Sequence, residues 1–221
     1  MAKKEKKLPE FWHAYEGSFA KGLPKDISQT NFVVIDTETT GFSFKKDRIL
    51  SIGALRIKNG CIEAKEAFEV FLQQNTFDKS TVQIHGILKK EKVNLVTEIE
   101  GLKMLLNLLK NAVLIAHHVR FDVGMINQAL QRNGLPKLLN KELDTALLYN
   151  RALPKSKRTI EGNYSLDELS EQFKISKSDR HTALGDAYIT AIAFLHILEK
   201  LKPASLQHLL KKDRFWEFWK F

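Results

Sequence analysis

The chain has 221 residues, of which 43% are hydrophobic and 28% are charged, and its formal net charge is +9. This composition is ordinary for a soluble globular protein, and the length suits one domain with extensions. No apolar run approaches the roughly 20 residues of a membrane span, and Cys61 is the single cysteine, which excludes an intrachain disulfide and a cysteine-built metal cluster. The basic N-terminus has no apolar stretch behind it and is not typical of a secretory signal, so we expect a cytoplasmic protein without a membrane partner.

The positive charge favours a polyanionic substrate, particularly if several acidic residues are gathered in one pocket and leave the remaining surface more basic still. The alternative is a generally basic protein whose lysines only confer solubility. Charge by itself does not decide between the two.

In chain order, residues 1–8 form a basic tail, and residues 9–20 predict a helix with aromatic side chains on one face. Residues 21–30 have the glycine and proline content of a linker. We therefore expect an N-terminal extension over residues 1–30. The aromatic residues of the predicted helix are Phe11, Trp12, Tyr15 and Phe19.

Residues 32–35 are apolar and β-branched or aromatic, which predicts a buried strand that runs directly into Asp36 and Glu38. Side chains two apart on a strand share a face, so these two carboxylates lie side by side. Like charges at a buried strand end call for a shared cation, and hard cations such as Mg²⁺ take oxygen ligands. The alternative is a strand that ends in an ordinary polar turn.

Residues 49–57 and 61–72 predict a hairpin around Asn59-Gly60, so we expect the first three strands to be antiparallel neighbours. Residues 97–110 have helical periodicity. A further short apolar run, 112–116, predicts a buried strand, and the helix after it places Asp122 on its inward side near its start.

The last part of the chain alternates short strands and helices. Residues 142–144 predict a short strand, and Ser165 with Glu168 forms a capping-box sequence that predicts the start of a helix. His181 and Asp186 are five residues apart, which on a straight helix separates them by roughly 140°. They converge only if His181 lies in a loop and Asp186 in the first turn of the next helix.

Taken together, these motifs make the chain resemble the DEDDh family of 3′–5′ exonucleases, which includes the proofreading epsilon subunit of bacterial DNA polymerase III. The resemblance covers roughly residues 31–200, and position 118 is His where the family usually has Asn. The motifs are Asp36-Thr37-Glu38-Thr39-Thr40-Gly41, Ala116-His117-His118-Val119-Arg120-Phe121-Asp122 and His181-Thr182-Ala183-Leu184-Gly185-Asp186-Ala187, with lesser matches at Ile84-His85-Gly86-Ile87, Asp144-Thr145 and Tyr164-Ser165-Leu166.

The resemblance implies a ribonuclease H-like α/β fold, with a mixed five-stranded sheet flanked by helices, as the exonuclease domain over residues 31–200. It implies two divalent cations, Mg²⁺ or Mn²⁺, roughly 3.5–4 Å apart. Their ligands would be Asp36, Glu38, Asp122 and Asp186. It also implies that His181 is the general base, a task suited to a side chain type that ordinarily titrates near pH 6.5. The implied substrate-binding residues are Thr37, Thr39, Thr40, Gly41, His85, His117 and Phe121.

Three functions follow from this sequence. The first is a DNA 3′–5′ exonuclease that acts on single strands or frayed 3′ ends in DNA replication or repair, with phosphate contacts from the basic loops 155–158 and 174–180. The second is an RNA 3′–5′ exonuclease with the same residues, and the third is a non-catalytic polymerase-binding or nucleic-acid-binding module. The presence of all four acids and the histidine argues against the third.

The C-terminal extension, residues 201–221, ends in five aromatic residues within eight positions. Exposed, these would form a large apolar patch. We expect the two aromatic termini to pack on each other or side by side on the domain, or alternatively to bind a partner such as a polymerase subunit or a second copy of the chain.

Overall fold

The computed structural model describes residues 8–74 and 94–211, and a mixed sheet lies at its centre. The strand order is β4-β3-β2-β1-β5-β6; β1, β2 and β3 are antiparallel neighbours, as expected, whereas β5 is parallel to β1 and β6 is parallel to β5. The strands are β1 (Phe32–Thr39), β2 (Ile49–Lys58), β3 (Cys61–Leu72), β4 (Leu95–Val96), β5 (Val113–Ala116) and β6 (Glu142–Asp144).

The sheet has six strands in the described residues where five were expected, and the additional strand is β4. β4 consists of two residues that pair in parallel with Phe71 and Leu72 at the end of β3. Two residues are too few to show the alternation by which a strand is recognised in a sequence. The expectation of five strands was therefore wrong by one short edge strand.

Helices cover both faces of the sheet, and within the described residues none has both the length and the apolar character to cross a membrane. The predicted capping box is present, because the Ser165 side chain accepts the Glu168 backbone N–H and the Glu168 side chain accepts the Ser165 N–H. The helices are α1 (Glu10–Gly17), α2 (Glu98–Leu109), α3 (Val119–Arg132), α4 (Thr145–Ala152), α5 (Leu166–Phe173), α6 (Ala183–Leu201) and α7 (Leu206–Leu210).

The N-terminal helix α1 packs on the domain and contacts α2. Trp12 is fully buried, and Tyr15, 2% exposed, donates a hydrogen bond to the Asn140 side chain at 2.5 Å. The expected packing of the N-terminal aromatic residues on the domain is confirmed. The C-terminal aromatic residues, 215–221, lie outside the described residues.

Alternating side chains of β1 divide the core into two layers. Val33 and Ile35 belong to the layer that includes residues of α1, α2 and α3. Phe32 and Val34 belong to the opposite layer, which includes residues of α4 and α6. This alternation continues to the end of β1 and decides which helix each polar residue there meets.

Candidate active site

Three carboxylates meet at the end of β1. Asp36 and Glu38 share the face of the sheet against which α6 packs, and Asp186 lies in the first turn of that helix. One oxygen from each of the three side chains lies within 4.8 Å of the others. Oxygen ligands at this spacing can hold a divalent cation.

Asp122 reaches the end of β1 from the other side of the sheet, and its charge acts on Asp36. Its helix, α3, packs in the layer of Val33 and Ile35, and Thr37 points into that same layer. The Thr37 hydroxyl donates to Asp122 Oδ1 at 2.8 Å, and Asp122 is only 3% exposed. Thr37, expected to bind substrate, therefore uses its hydroxyl to hold the fourth carboxylate.

A glycine in β2 allows α6 to bring Asp186 to β1. Gly53 pairs with Asp36 on one side and Glu69 on the other. A Cβ atom at Gly53 would lie 2.1 Å from the Ala183 carbonyl carbon, so only glycine permits this approach. The Ala183 N–H also donates to Glu69 Oε1 at 3.0 Å. Our sequence analysis missed both residues, although a glycine inside a predicted strand is a known sign of close backbone approach.

His181 lies in the loop before α6, as its expected convergence with Asp186 requires. Its backbone is left-handed, with φ 65°, and its N–H donates to Asp186 Oδ1 at 3.3 Å while its side chain is exposed. A histidine in this conformation is strained unless surrounding contacts fix it. The loop therefore positions His181 and Asp186 together.

Arg180 is a second residue that our sequence analysis did not place in the site. Its Nη1 donates to Asp186 Oδ2 at 2.5 Å, and its Nε donates to Asp167 Oδ1 at 3.0 Å. The sequence analysis had grouped Arg180 with a basic loop. Its position directly before His181 was the signal that could have found it.

The electrostatics of the site oppose the accumulation of negative charge. Burial, together with the charges of Asp122, Asp186 and Glu38, raises the pKa of Asp36 well above its usual 3.8. Burial raises the pKa of Asp122 to about 7, against the hydrogen bonds of Thr37 that lower it. Burial also raises the pKa of Asp186. A cation would favour the charged form of all these groups.

His117 and Asp144 fix the chain where β5 passes into α3. The Asp144 carboxylate accepts the N–H groups of Val119 and Ala146, each at 3.0 Å, and of His118 at 3.3 Å. The Nδ1 atom of His117 lies 2.9 Å from Thr145 Oγ1. Burial and the neighbouring charge of His118 lower the pKa of His117 to about 3. Its ring is therefore neutral at physiological pH.

The segment after β1, expected to approach a nucleotide, is held by internal hydrogen bonds. The Thr39 hydroxyl donates to the Gly41 carbonyl at 2.8 Å, and the Thr40 hydroxyl donates to Asp47 Oδ1 at 2.9 Å. The Arg48 N–H donates to Thr40 Oγ1 at 3.0 Å. These bonds keep the segment in one conformation beside the carboxylates.

Aromatic side chains border the site. Phe42, directly after Gly41, is 89% exposed, and its ring centroid lies 5.8 Å from that of Phe121. Phe44, 41% exposed, lies 6.0 Å from Phe121. Phe121 was expected at the substrate, whereas its two partners were not identified. His85, also expected there, lies outside the described residues.

Two arginines of the basic loops expected to contact phosphates use their guanidinium groups within the protein. Arg158 donates to the carbonyl oxygens of Arg151 and Leu153, and Arg180 donates to the two aspartates described above. Lys177 pairs with Glu171 at 3.0 Å. The sequence pattern identified these residues as basic but could not show that their charges had partners.

An exonuclease family model, RNase_T, matches residues 33–194. The chain belongs to this exonuclease family. The chain is 36% identical over 177 residues to a PolC-type DNA polymerase III of Caldanaerobacter subterraneus, and 35% identical over 178 residues to the 3′–5′ exonuclease DinG of Bacillus subtilis. Each match covers 80% of the chain but only 12% and 18%, respectively, of those much longer relatives.

Solved exonuclease structures share the fold, and the ribonuclease H-like α/β architecture with antiparallel first strands is confirmed. E. coli exonuclease I in complex with a dT13 oligonucleotide matches with a TM-score of 0.66 and 19% identity, over 79% of this chain and 42% of its own. Exonuclease X in complex with 5′ overhanging duplex DNA matches with a TM-score of 0.57 and 20% identity, over 80% of this chain and 97% of its own.

Proposed function

We propose that this exonuclease hydrolyses single-stranded DNA or frayed DNA ends from a free 3′ hydroxyl and releases nucleoside 5′-monophosphates. The single observation that supports this best is the group formed by Asp36, Glu38 and Asp186, with an oxygen of each within 4.8 Å of the others and the loop of His181 beside it. The 3′–5′ direction is proposed from the likeness to DinG and to PolC-type polymerases.

Two divalent cations, Mg²⁺ or Mn²⁺, fit the donor set of this site. The ligands would be Asp36, Glu38 and Asp186 from one face of the sheet and Asp122 from the other. Bound there, the ions would supply Lewis-acid stabilisation of charge at the scissile phosphate and would acidify a water molecule. Burial raises the pKa of Asp36 and of Asp186 in the metal-free protein, which is expected of carboxylates built to share cations.

His181 is the proposed general base. Its side chain is exposed at the mouth of the site, while its backbone N–H is bonded to Asp186. This arrangement keeps the His181 backbone beside Asp186 and leaves the imidazole accessible to the attacking water. A base in this position contributes typically 10²–10⁴-fold to a hydrolysis rate.

Phe42, Phe44 and Phe121 are the proposed contacts to the bases near the 3′ end. Exposed aromatic rings are unfavourable in water but stack well on nucleobases of any sequence. Lys45 and Lys46 are exposed in the same loop and would meet phosphates. Bases can reach such rings only when they are unpaired, which favours single strands and frayed ends over intact duplex.

Residues 31–200 are the proposed exonuclease domain, with α1 packed on it through Trp12 and Tyr15. A DNA polymerase subunit is a proposed partner because the chain resembles a part of PolC-type polymerases. Since Trp12 and Tyr15 are buried in the chain's own core, they are not proposed as anchors for that partner.

The test uses purified full-length protein with matched DNA and RNA oligonucleotides labelled at the 5′ end, in Mg²⁺, in Mn²⁺ and in excess chelator. We expect DNA to be shortened one nucleotide at a time, with no cleavage in chelator. Asp186→Asn should be inactive, whereas Asp26→Asn, an exposed loop carboxylate, should match the wild type. Activity in chelator would refute metal dependence, cleavage of a circular single strand would indicate an endonuclease, and preference for RNA would favour the RNA exonuclease.

A further inference from the structure

Arg180 joins a ligand of the proposed metal site to a carboxylate outside it. Its guanidinium donates through Nη1 to Asp186 Oδ2 at 2.5 Å and through Nε to Asp167 Oδ1 at 3.0 Å. The Arg180 side chain is 18% exposed, Asp186 is 7% exposed, and Asp167 is 49% exposed. The guanidinium therefore spans from the buried site to its solvent-facing rim.

A cation at this position relieves a charge conflict in the metal-free protein. Asp36, Glu38 and Asp186 offer oxygens within 4.8 Å of one another, and buried like charges at such distances repel strongly. The charge of Arg180 acts on Asp36 as well as on Asp186 and favours the ionised form of both. A planar guanidinium suits this task because it can bond two carboxylates at once.

We propose that Arg180 is an internal counterion that competes with the divalent cations for Asp186 and thereby sets the metal affinity of the site. Both oxygens of Asp186 already accept hydrogen bonds, Oδ1 from the His181 N–H and Oδ2 from Arg180. A divalent cation bound to this carboxylate would be a second positive charge beside the guanidinium. Metal binding therefore weakens the bond between Arg180 and Asp186.

Asp167 gives the displaced guanidinium a place to remain. It lies near the start of α5, separate from the three clustered carboxylates, and its hydrogen bond to Arg180 lowers its pKa. Arg180 can thus leave Asp186 without leaving the rim of the site. The exchange needs only a side-chain movement, because α5 and α6 both hold their positions through their own packing.

The test measures metal binding without nucleic acid, by titration calorimetry of the full chain with Mn²⁺ and with Mg²⁺. Arg180→Gln should bind the ions more tightly by about 3- to 30-fold, as expected for the loss of a charge-assisted hydrogen bond that binding must break. In chelator, the same variant should unfold at a lower temperature than the wild type, because the carboxylates have lost their counterion. Arg180→Lys keeps the charge but loses the pair of hydrogen bonds to Asp167 and Asp186. It should bind the ions with intermediate affinity.

Arg132→Gln is the matched control. Arg132 also donates through Nη2 to a carboxylate, that of Glu98 at 2.7 Å, and is 25% exposed, but it lies at the far end of α3 from Asp122. The Arg132→Gln substitution removes the same charge from the protein as Arg180→Gln does, and it should leave the metal affinity unchanged. A similar gain in the control would show a general charge effect and overturn the inference.

This inference rests on the proposed metal-dependent function, and the two fail in different ways. If wild-type protein binds no divalent cation at millimolar concentration, the proposed function fails and the inference fails with it. If the wild type binds metal but Arg180→Gln binds it equally or more weakly, Arg180 is not a competitor and the proposed function stands. If Arg180→Gln does not fold, the affinity of Arg180→Lys decides in the same way.

Discussion

Gly53→Ala adds one methyl group where α6 meets the sheet, and we expect it to disable the site. The new Cβ would lie 2.1 Å from the Ala183 carbonyl carbon and 2.3 Å from both the Ala183 oxygen and the Leu184 nitrogen. Ordinary contact begins at 3.4 Å, so the start of α6 would have to retreat by about 1.3 Å. These are backbone atoms that no side-chain rotation can move.

The retreat acts on catalysis more than on folding, because Asp186 lies in the first turn of α6. A misplacement of about 1 Å at an active site can lower a rate by about 10²-fold. Overpacking of a core typically destabilises by about 1–3 kcal/mol. We therefore expect kcat on a single-stranded DNA oligonucleotide to fall by about 10²-fold while the protein still folds.

The assay compares kcat, metal affinity and the unfolding temperature of Gly53→Ala with those of Gly17→Ala. Gly17 is helical, and nothing lies within 4 Å of a Cβ atom added there, so its substitution should leave kcat and metal affinity unchanged and should not lower the unfolding temperature. Wild-type kcat in Gly53→Ala would refute the reasoning, because it would mean that α6 does not have to approach Gly53 for activity. A loss of kcat without any change in metal affinity would place the effect on His181 rather than on Asp186.

Three further predictions address the base, the charge of the site and the aromatic rim. His181→Ala should lower kcat by about 10²–10⁴-fold in the oligonucleotide assay, and a wild-type kcat in the variant would remove His181 from the mechanism. Burial raises the pKa of Asp122 to about 7 from 3.8, so the folded protein holds this proton more tightly than the unfolded chain does. Without metal, the free energy of unfolding therefore falls as the pH rises from 3.8 to about 7, and below pH 3.8 the Asp122 carboxyl causes no loss. In chelator, Asp122→Asn should therefore unfold at a higher temperature than the wild type at pH 8, and the difference in unfolding temperature should disappear toward pH 4. Calorimetry across this pH range measures the difference, and a difference that does not change with pH would contradict the prediction. Phe42→Ala should raise KM for single-stranded DNA by about 5- to 100-fold with little change in kcat, whereas Phe42→Trp should behave as wild type. Steady-state kinetics measures KM and kcat separately, and an unchanged KM in Phe42→Ala would exclude stacking of a base on Phe42.

Much of the fold was predictable because local patterns specify it. The alternation in β1 placed Asp36 and Glu38 on one face, and the Asn59-Gly60 turn predicted the antiparallel start of the sheet. The capping box at Ser165 and the loop position of His181 were also correct. Each of these features depends on residues within a few positions of one another, where backbone geometry and hydrogen bonding are set by the sequence itself.

The gathering of all four carboxylates around shared cations stays a prediction, and the sheet decides how Asp122 reaches the other three. Asp122 follows β5 just as Asp36 ends β1, but α3 and α6 pack on opposite faces. The sequence predicted that each acid would lie at the carboxyl end of a strand. The sequence contained no local signal for the face of the sheet on which the helix of Asp122 packs, because that depends on the packing of helices distant in the chain.

By itself, the sequence determined the motifs, the strand that bears the first two acids and the exonuclease family to which the chain belongs. Only the tertiary structure decided that Gly53 makes room for Asp186, that Thr37 holds Asp122 and that Arg180 pairs with a proposed metal ligand. The physical reason is one of range. Periodicity and capping act between neighbours in the chain, whereas the distances from residue 186 to residues 36 and 53 are fixed by the packing of segments more than a hundred residues apart.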